Sequence, residues 1–152
     1  MMTHMPPSSR IGPREVFRNV YMVLRHDPGR RLLLLTRSTE PYANIEAMRE
    51  TFVKLEESIS YVSRPRTLLL VDSRSAPARN DPSFEAEFGR LRKHFLRDFQ
   101  KTATVVMTAV GILQANRHVR KDEMPMGIFT DVGEALAYLG VTLDPARLDL
   151  WE

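Results

Sequence analysis

Apolar positions fall into short blocks along the chain, and the spacing within a block changes from one to the next. Residues 16–25 (VFRNVYMVLR) are rich in β-branched and aromatic side chains and predict a strand. His26-Asp27-Pro28-Gly29 predicts a turn, with Pro presetting φ at the second position and Gly permissive at the third. Residues 31–37 (RLLLLTR) predict a second strand, completing a hairpin. Its four consecutive leucines imply burial on both faces and a place inside the sheet. Ile45, Met48, Phe52, Leu55 and Ile59 then recur at steps of three and four behind Asn44, a residue suited to an N-cap. This helix, ended by Ser63-Arg64-Pro65, offers its stripe either to the core or to a partner helix; a sheet needs a cover, which favours the core.

The next stretch is the one around which the rest is organised. Leu68-Leu69-Leu70-Val71 is a continuous apolar run too short for a helix. It breaks at Asp72 into a polar loop containing Pro77, and the chain restarts at Asp81-Pro82, an N-cap followed by a proline at the first helical position. Phe84, Phe88, Leu91, Phe95 and Phe99 predict an amphipathic helix running to about Lys101. Residues 104–108 (TVVMT) predict a fourth strand, with Thr108 capping a helix over 109–120, and residues 126–129 predict a fifth. Asp131 and Glu134 form a D-x-x-E capping box for a last helix that turns Val132, Leu136 and Leu139 inward and stops at Gly140. The order β-β-α-β-α-β-α-β-α predicts a single α/β domain over residues 14–140: a mixed, mostly parallel five-stranded sheet with an N-terminal hairpin and four helices. Residues 1–13 are expected to form a flexible arm and 141–152 a tail.

Composition narrows the chemistry. Twenty-two Lys and Arg against nineteen Asp and Glu leave a formal charge of only +3. At so small a net charge, a pI near 9.5 is weak support for nucleic-acid binding. The absence of cysteine excludes disulfides, thiolate metal sites and a cysteine nucleophile. His4, His26, His94 and His118 fall in no recognised ligand spacing, so neither a metal nor a cofactor is expected. Residues 1–10 lack the apolar run of a signal peptide, and the apolar segment 103–113 is too short to cross a bilayer. The expected setting is the cytoplasm, without membrane insertion.

The order of elements, the strand ending Leu70-Val71-Asp72-Ser73, the run Ala103-Thr104-Val105-Val106 leading into a helix, and residues 127–136 (GIFTDVGEAL) together resemble the STAS-like superfamily. That is the fold of anti-sigma-factor antagonists and of the cytoplasmic tails of sulfate transporters. The resemblance spans residues 16–139 and implies a signalling or scaffolding role. The superfamily's Asp-Ser-Ser-Gly motif is matched here by Asp72 and Ser73 only. Arg74 stands in place of the phosphorylated serine and Ser75 in place of the glycine, so the usual phosphorylation switch and its kinase are not implied.

Ligands of open α/β sheets bind at the carboxyl ends of the strands, which puts Asp72, Ser73, Arg74, Ser75 and Arg79 first among candidate binding residues. Thr108, Asp131 and Arg117 are secondary candidates. Asp72, Asp81, Thr108 and Asp131 can equally serve as caps and loop ties. No G-x-S-x-G, P-loop or G-x-G-x-x-G is present, and no catalytic residue is assigned. The expectation is a non-enzymatic regulatory module that binds a protein partner through residues 72–81, with a second copy of the chain a further candidate partner. An anionic ligand or an enzymatic site at the strand ends is the alternative. Nucleic-acid binding through the basic helix end at 117–121 is a third, less favoured reading.

Overall fold

A computed structural model describes residues 12–78, 81–108 and 126–145. They form one mixed six-stranded sheet with three α-helices among the described residues. The strands are β1 (Arg14–Arg18), β2 (Met22–Asp27), β3 (Leu32–Arg37), β4 (Leu68–Asp72), β5 (Lys101–Val105) and β6 (Gly127–Phe129). The helices are α1 (Ile45–Ser58), α2 (Pro82–Phe95) and α3 (Val132–Leu139). Each strand lies beside its predecessor; β1 and β2 run antiparallel at one edge, and β3 to β6 run parallel.

The sixth strand arises because the stretch read as one strand over 16–25 is two. The Asn19 side chain accepts from the amides of Tyr21 (2.8 Å) and Met22 (3.1 Å), and the Asn19 amide donates to the Met22 carbonyl. This side-chain-closed turn folds β1 back on β2. Its Nδ2 also donates to Thr51 Oγ1 at 3.0 Å, tying the turn to α1.

The next connection also differs from expectation. A 3₁₀ turn over Pro28–Arg30 follows β2, and the left-handed residue is Arg31 (φ 53°), not Gly29. Asp27, fully buried, holds the turn by accepting from the Arg30 amide and pairing with Arg30 Nη1 at 2.7 Å.

The four leucines of β3 divide between two cores, as burial on both faces requires. Leu33 and Leu35 join Leu24, Leu69, Met48, Phe52, Leu55, Phe84 and Phe95 on the face covered by α1 and α2. Leu32 and Leu34 join Leu70, Ala103, Val105, Leu136 and Leu139 on the face covered by α3. Asn44 caps α1 through its side chain, as Asp81 does α2 and Asp131 does α3. Gly140 closes α3 in the left-handed conformation.

α2 ends at Phe95, short of the expected Lys101, and β5 starts at Lys101, three residues before the expected strand. Asp98 adopts a left-handed φ of 66°. Phe99 packs its ring on Phe95 and beneath the Arg64 guanidinium, whose carbon lies 5.1 Å from the ring centre. The Gln100 amide then donates to the carbonyls of both Arg64 and Thr67, anchoring the chain where β4 begins. The apolar period thus continues past the helix because Phe99 serves the same core from a turn. Phe88 is partly buried, whereas Phe84 and Phe95 are the buried aromatics of α2. The expected helix over 109–120 and most of the 141–152 tail lie outside the described residues, although Val141 and Leu143 pack on the α3-side core.

Candidate functional site

The register places Thr36, Asp72, Val105 and Phe129 in one row across the carboxyl ends of β3 to β6. Neighbouring strands are about 4.8 Å apart, so Asp72 lies roughly 10 Å from Phe129 in this row. Asp72 follows Leu70 by two residues and so shares the α3-side face.

The loop that leaves β4 is closed on itself. Asp72 Oδ1 accepts from the Arg74 amide (3.1 Å) and from Arg74 Nε (2.9 Å), while Oδ2 accepts from Nη2 (2.8 Å). This is a fork-to-fork pair between a half-buried carboxylate and a more exposed guanidinium. The Ser73 amide extends the ladder to the Val105 carbonyl at 2.8 Å, and the Ser73 carbonyl accepts from Ala76 at 3.1 Å. Ser75, Pro77 and Ala78 are exposed beyond that turn. Asp81 then accepts from the Ser83 and Phe84 amides and starts α2.

Of the sequence candidates, Asp72, Ser73, Arg74 and Ser75 therefore form one ordered strand-end turn. Asp131 sits past the end of β6 and is committed to α3, its Oδ2 accepting from the Glu134 amide at 2.9 Å. Thr108 is exposed, three residues beyond β5. Arg79 and Arg117 lie outside the described residues.

β3 and β4 send their crossovers to the same face, since α1 and α2 share one core. A crevice opens at strand ends where neighbouring connections leave to opposite faces. The ends of β3 and β4 do not have that arrangement. Among the described residues, no group of three or more His, Asp or Glu is placed to hold a metal ion. No helix among them is long and apolar enough to cross a membrane.

Sequence reasoning missed a second constellation at the same end of the sheet. Arg37, the last residue of β3, donates from Nε to the Tyr21 carbonyl (3.1 Å) and from Nη2 to the Glu40 carbonyl (3.0 Å). Its guanidinium carbon stacks 4.7 Å from the centre of the Tyr42 ring. Tyr42 is flanked by Tyr21 at 4.7 Å and by Phe84, in the first turn of α2, at 5.9 Å. Burial lowers the Arg37 pKa and raises that of Tyr42. No motif announces this group. An arginine closing a run of four leucines, with tyrosines 16 residues before and 5 after, becomes legible only once the hairpin register is known.

The chain matches no family model, no curated protein and no solved structure.

Proposed function

We propose that this chain is a non-enzymatic regulatory or scaffolding module of STAS-like type, working in the cytoplasm, that binds a protein partner through residues 72–81. The observation that carries this reading is the Asp72–Arg74 fork. It orders the turn before any partner arrives, so less conformational entropy is lost on binding. It also neutralises Arg74 locally, which weakens the pull on a free anion and favours a partner that meets Ser75, Pro77 and Ala78 directly. The crossovers of β3 and β4 leave to the same face, which supports docking over enclosure of a small molecule at these strand ends. A standard interface covers about 800 Å² per partner, more than this loop alone offers. The footprint therefore extends to the neighbouring loop between β3 and α1.

The test uses the full chain as bait in extract of its own cells, followed by purification of the captured protein and titration calorimetry. Ser75→Glu with Ala78→Glu keeps the Asp72–Arg74 pair and changes the surface. Affinity is expected to fall at least about tenfold in this variant, the loss of roughly one good interfacial contact. Arg117→Ala with Lys121→Ala is expected to bind as the unmodified chain does. Equal affinity for the loop variant would overturn the proposal. A steep salt dependence of oligonucleotide binding, lost in the second variant, would favour nucleic acid instead.

A further inference from the structure

The α3 side of the sheet is unevenly covered. Among the described residues, α3 packs chiefly against β4, β5 and β6. The apolar core beneath it draws on β3 to β6 and on Val141 and Leu143, and takes no residue from β1 or β2. Arg25, in the middle of β2, nevertheless has only 3% of its surface exposed. It stands opposite Leu34, whose side chain belongs to that core, so Arg25 shares the α3-side face. A guanidinium on an uncovered sheet face would reach water along its flexible stem. The burial of this one means that a further part of the chain lies over β2.

Two of the remaining stretches do not fit. Residues 109–125 join β5 to β6, and β5 is three strands from β2. Residues 1–11 carry Arg10 and no Asp or Glu. The hairpin face already holds three arginines, Arg18, Arg25 and Arg30, and two carboxylates, Glu15 and Asp27, which pair with Arg18 and Arg30. A buried surplus of positive charge calls for a negative segment. Residues 146–152 (ARLDLWE) supply one, with Asp149 and Glu152 against Arg147. The route leads there too. After α3, Val141 and Leu143 pack on the core, and the Thr142 carbonyl accepts from Arg30 Nε at 3.0 Å. Arg30 is the partner of Asp27, the last residue of β2. Arg25 lies two residues back along that strand, about 7 Å away. Residues 146–152 span up to about 23 Å when extended.

We infer that residues 146–152 lie across β2 on the α3 side of the sheet and set an acidic side chain, Asp149 or Glu152, against Arg25. The segment completes the layer that α3 begins. This goes beyond the partner-binding reading and is independent of it.

Trp151, the only tryptophan, reports on the segment, and a chain without cysteine accepts a single nitroxide label at an introduced thiol. Thr36→Cys puts the label on the α3-side face, two residues along β3 from Leu34 and opposite Val23 of β2. Val53→Cys puts it at an exposed position on α1, over the other face. Indole emission of the folded full chain is compared before and after ascorbate reduces the nitroxide. The label at position 36 is expected to quench Trp151 several-fold and the label at position 53 to leave it bright. Asp149→Asn with Glu152→Gln should restore most of the emission beside the first label. Without labels, Arg25 should resist phenylglyoxal, read by peptide mass mapping, and removal of residues 146–152 should raise its modification rate several-fold. Equal emission with the two labels, or quenching from position 53 alone, overturns the inference without reference to any shortened chain. So does quenching undiminished by the Asp149 and Glu152 substitutions, or Arg25 equally protected once residues 146–152 are gone.

Discussion

Leu69→Ala probes the strand that carries the proposed recognition turn. Leu69 has no exposed surface, pairs with Leu33 on one side and Thr102 on the other, and faces the helices α1 and α2. The substitution removes three carbon atoms, a transfer loss of about 2.5 kcal/mol at ~0.8 kcal/mol each. Both neighbouring strands are hydrogen-bonded to β4, and Leu55, Phe52 and Phe95 belong to the same buried core, so the cavity is expected to collapse little. The cavity term brings the expected total to about 3–5 kcal/mol, a large part of the stability of an ordinary domain. Urea denaturation followed by far-UV circular dichroism measures it as a lower midpoint at unchanged slope. Val53→Ala, at an exposed position on α1, is the control and should stay within about 0.5 kcal/mol. A loss below about 1 kcal/mol for Leu69→Ala would refute the two-core assignment of this sheet.

Two further outcomes follow from the same geometry. Asp131→Ala removes the side-chain cap of the eight-residue α3 and should cost about 1 kcal/mol, seen by calorimetry as a melting temperature lower by a few degrees. His26 is buried, shares a 2.8 Å hydrogen bond with Tyr61, and has its pKa lowered below 6.5 by burial first and by Arg14 second, with Asp27 opposing. The unfolded chain therefore takes up the proton at a higher pH than the folded one. Stability should be complete above about pH 7, decline as pH falls below 6.5 and level off beneath the folded value. His26→Gln should flatten that slope in denaturation midpoints collected between about pH 7 and pH 5.

Local signals with one physical cause were readable from the residues. The caps Asn44, Asp81 and Asp131 and the spacing of the α1 stripe depend on neighbours a few positions away, and the four consecutive leucines of β3 carry their double burial in their own run. The errors came where a polar side chain or a distant contact overrode a run. Asn19 closes a turn inside what reads as a single strand. The α2 stripe includes Phe99, which reaches the same core after the helix has ended, held by Arg64 from across the fold. At the candidate site, the position of Asp72 at a strand end was legible. Its fork to Arg74 was not, because two residues that read as separate ligands satisfy each other. Arg37 was invisible for the opposite reason: its partners are backbone carbonyls and an aromatic face.

Site-specific photo-crosslinking tests the central claim, that the turn leaving β4 is where a protein partner docks. A benzophenone amino acid is placed in the full chain at Ala78 and, in parallel, at Val53 on the outer face of α1 and at Glu15 on the edge strand. Irradiation in the native cells should join Ala78 to one discrete protein, while the other two positions give none. Crosslinks to the same protein from Val53 or Glu15, with none from Ala78, would contradict the account.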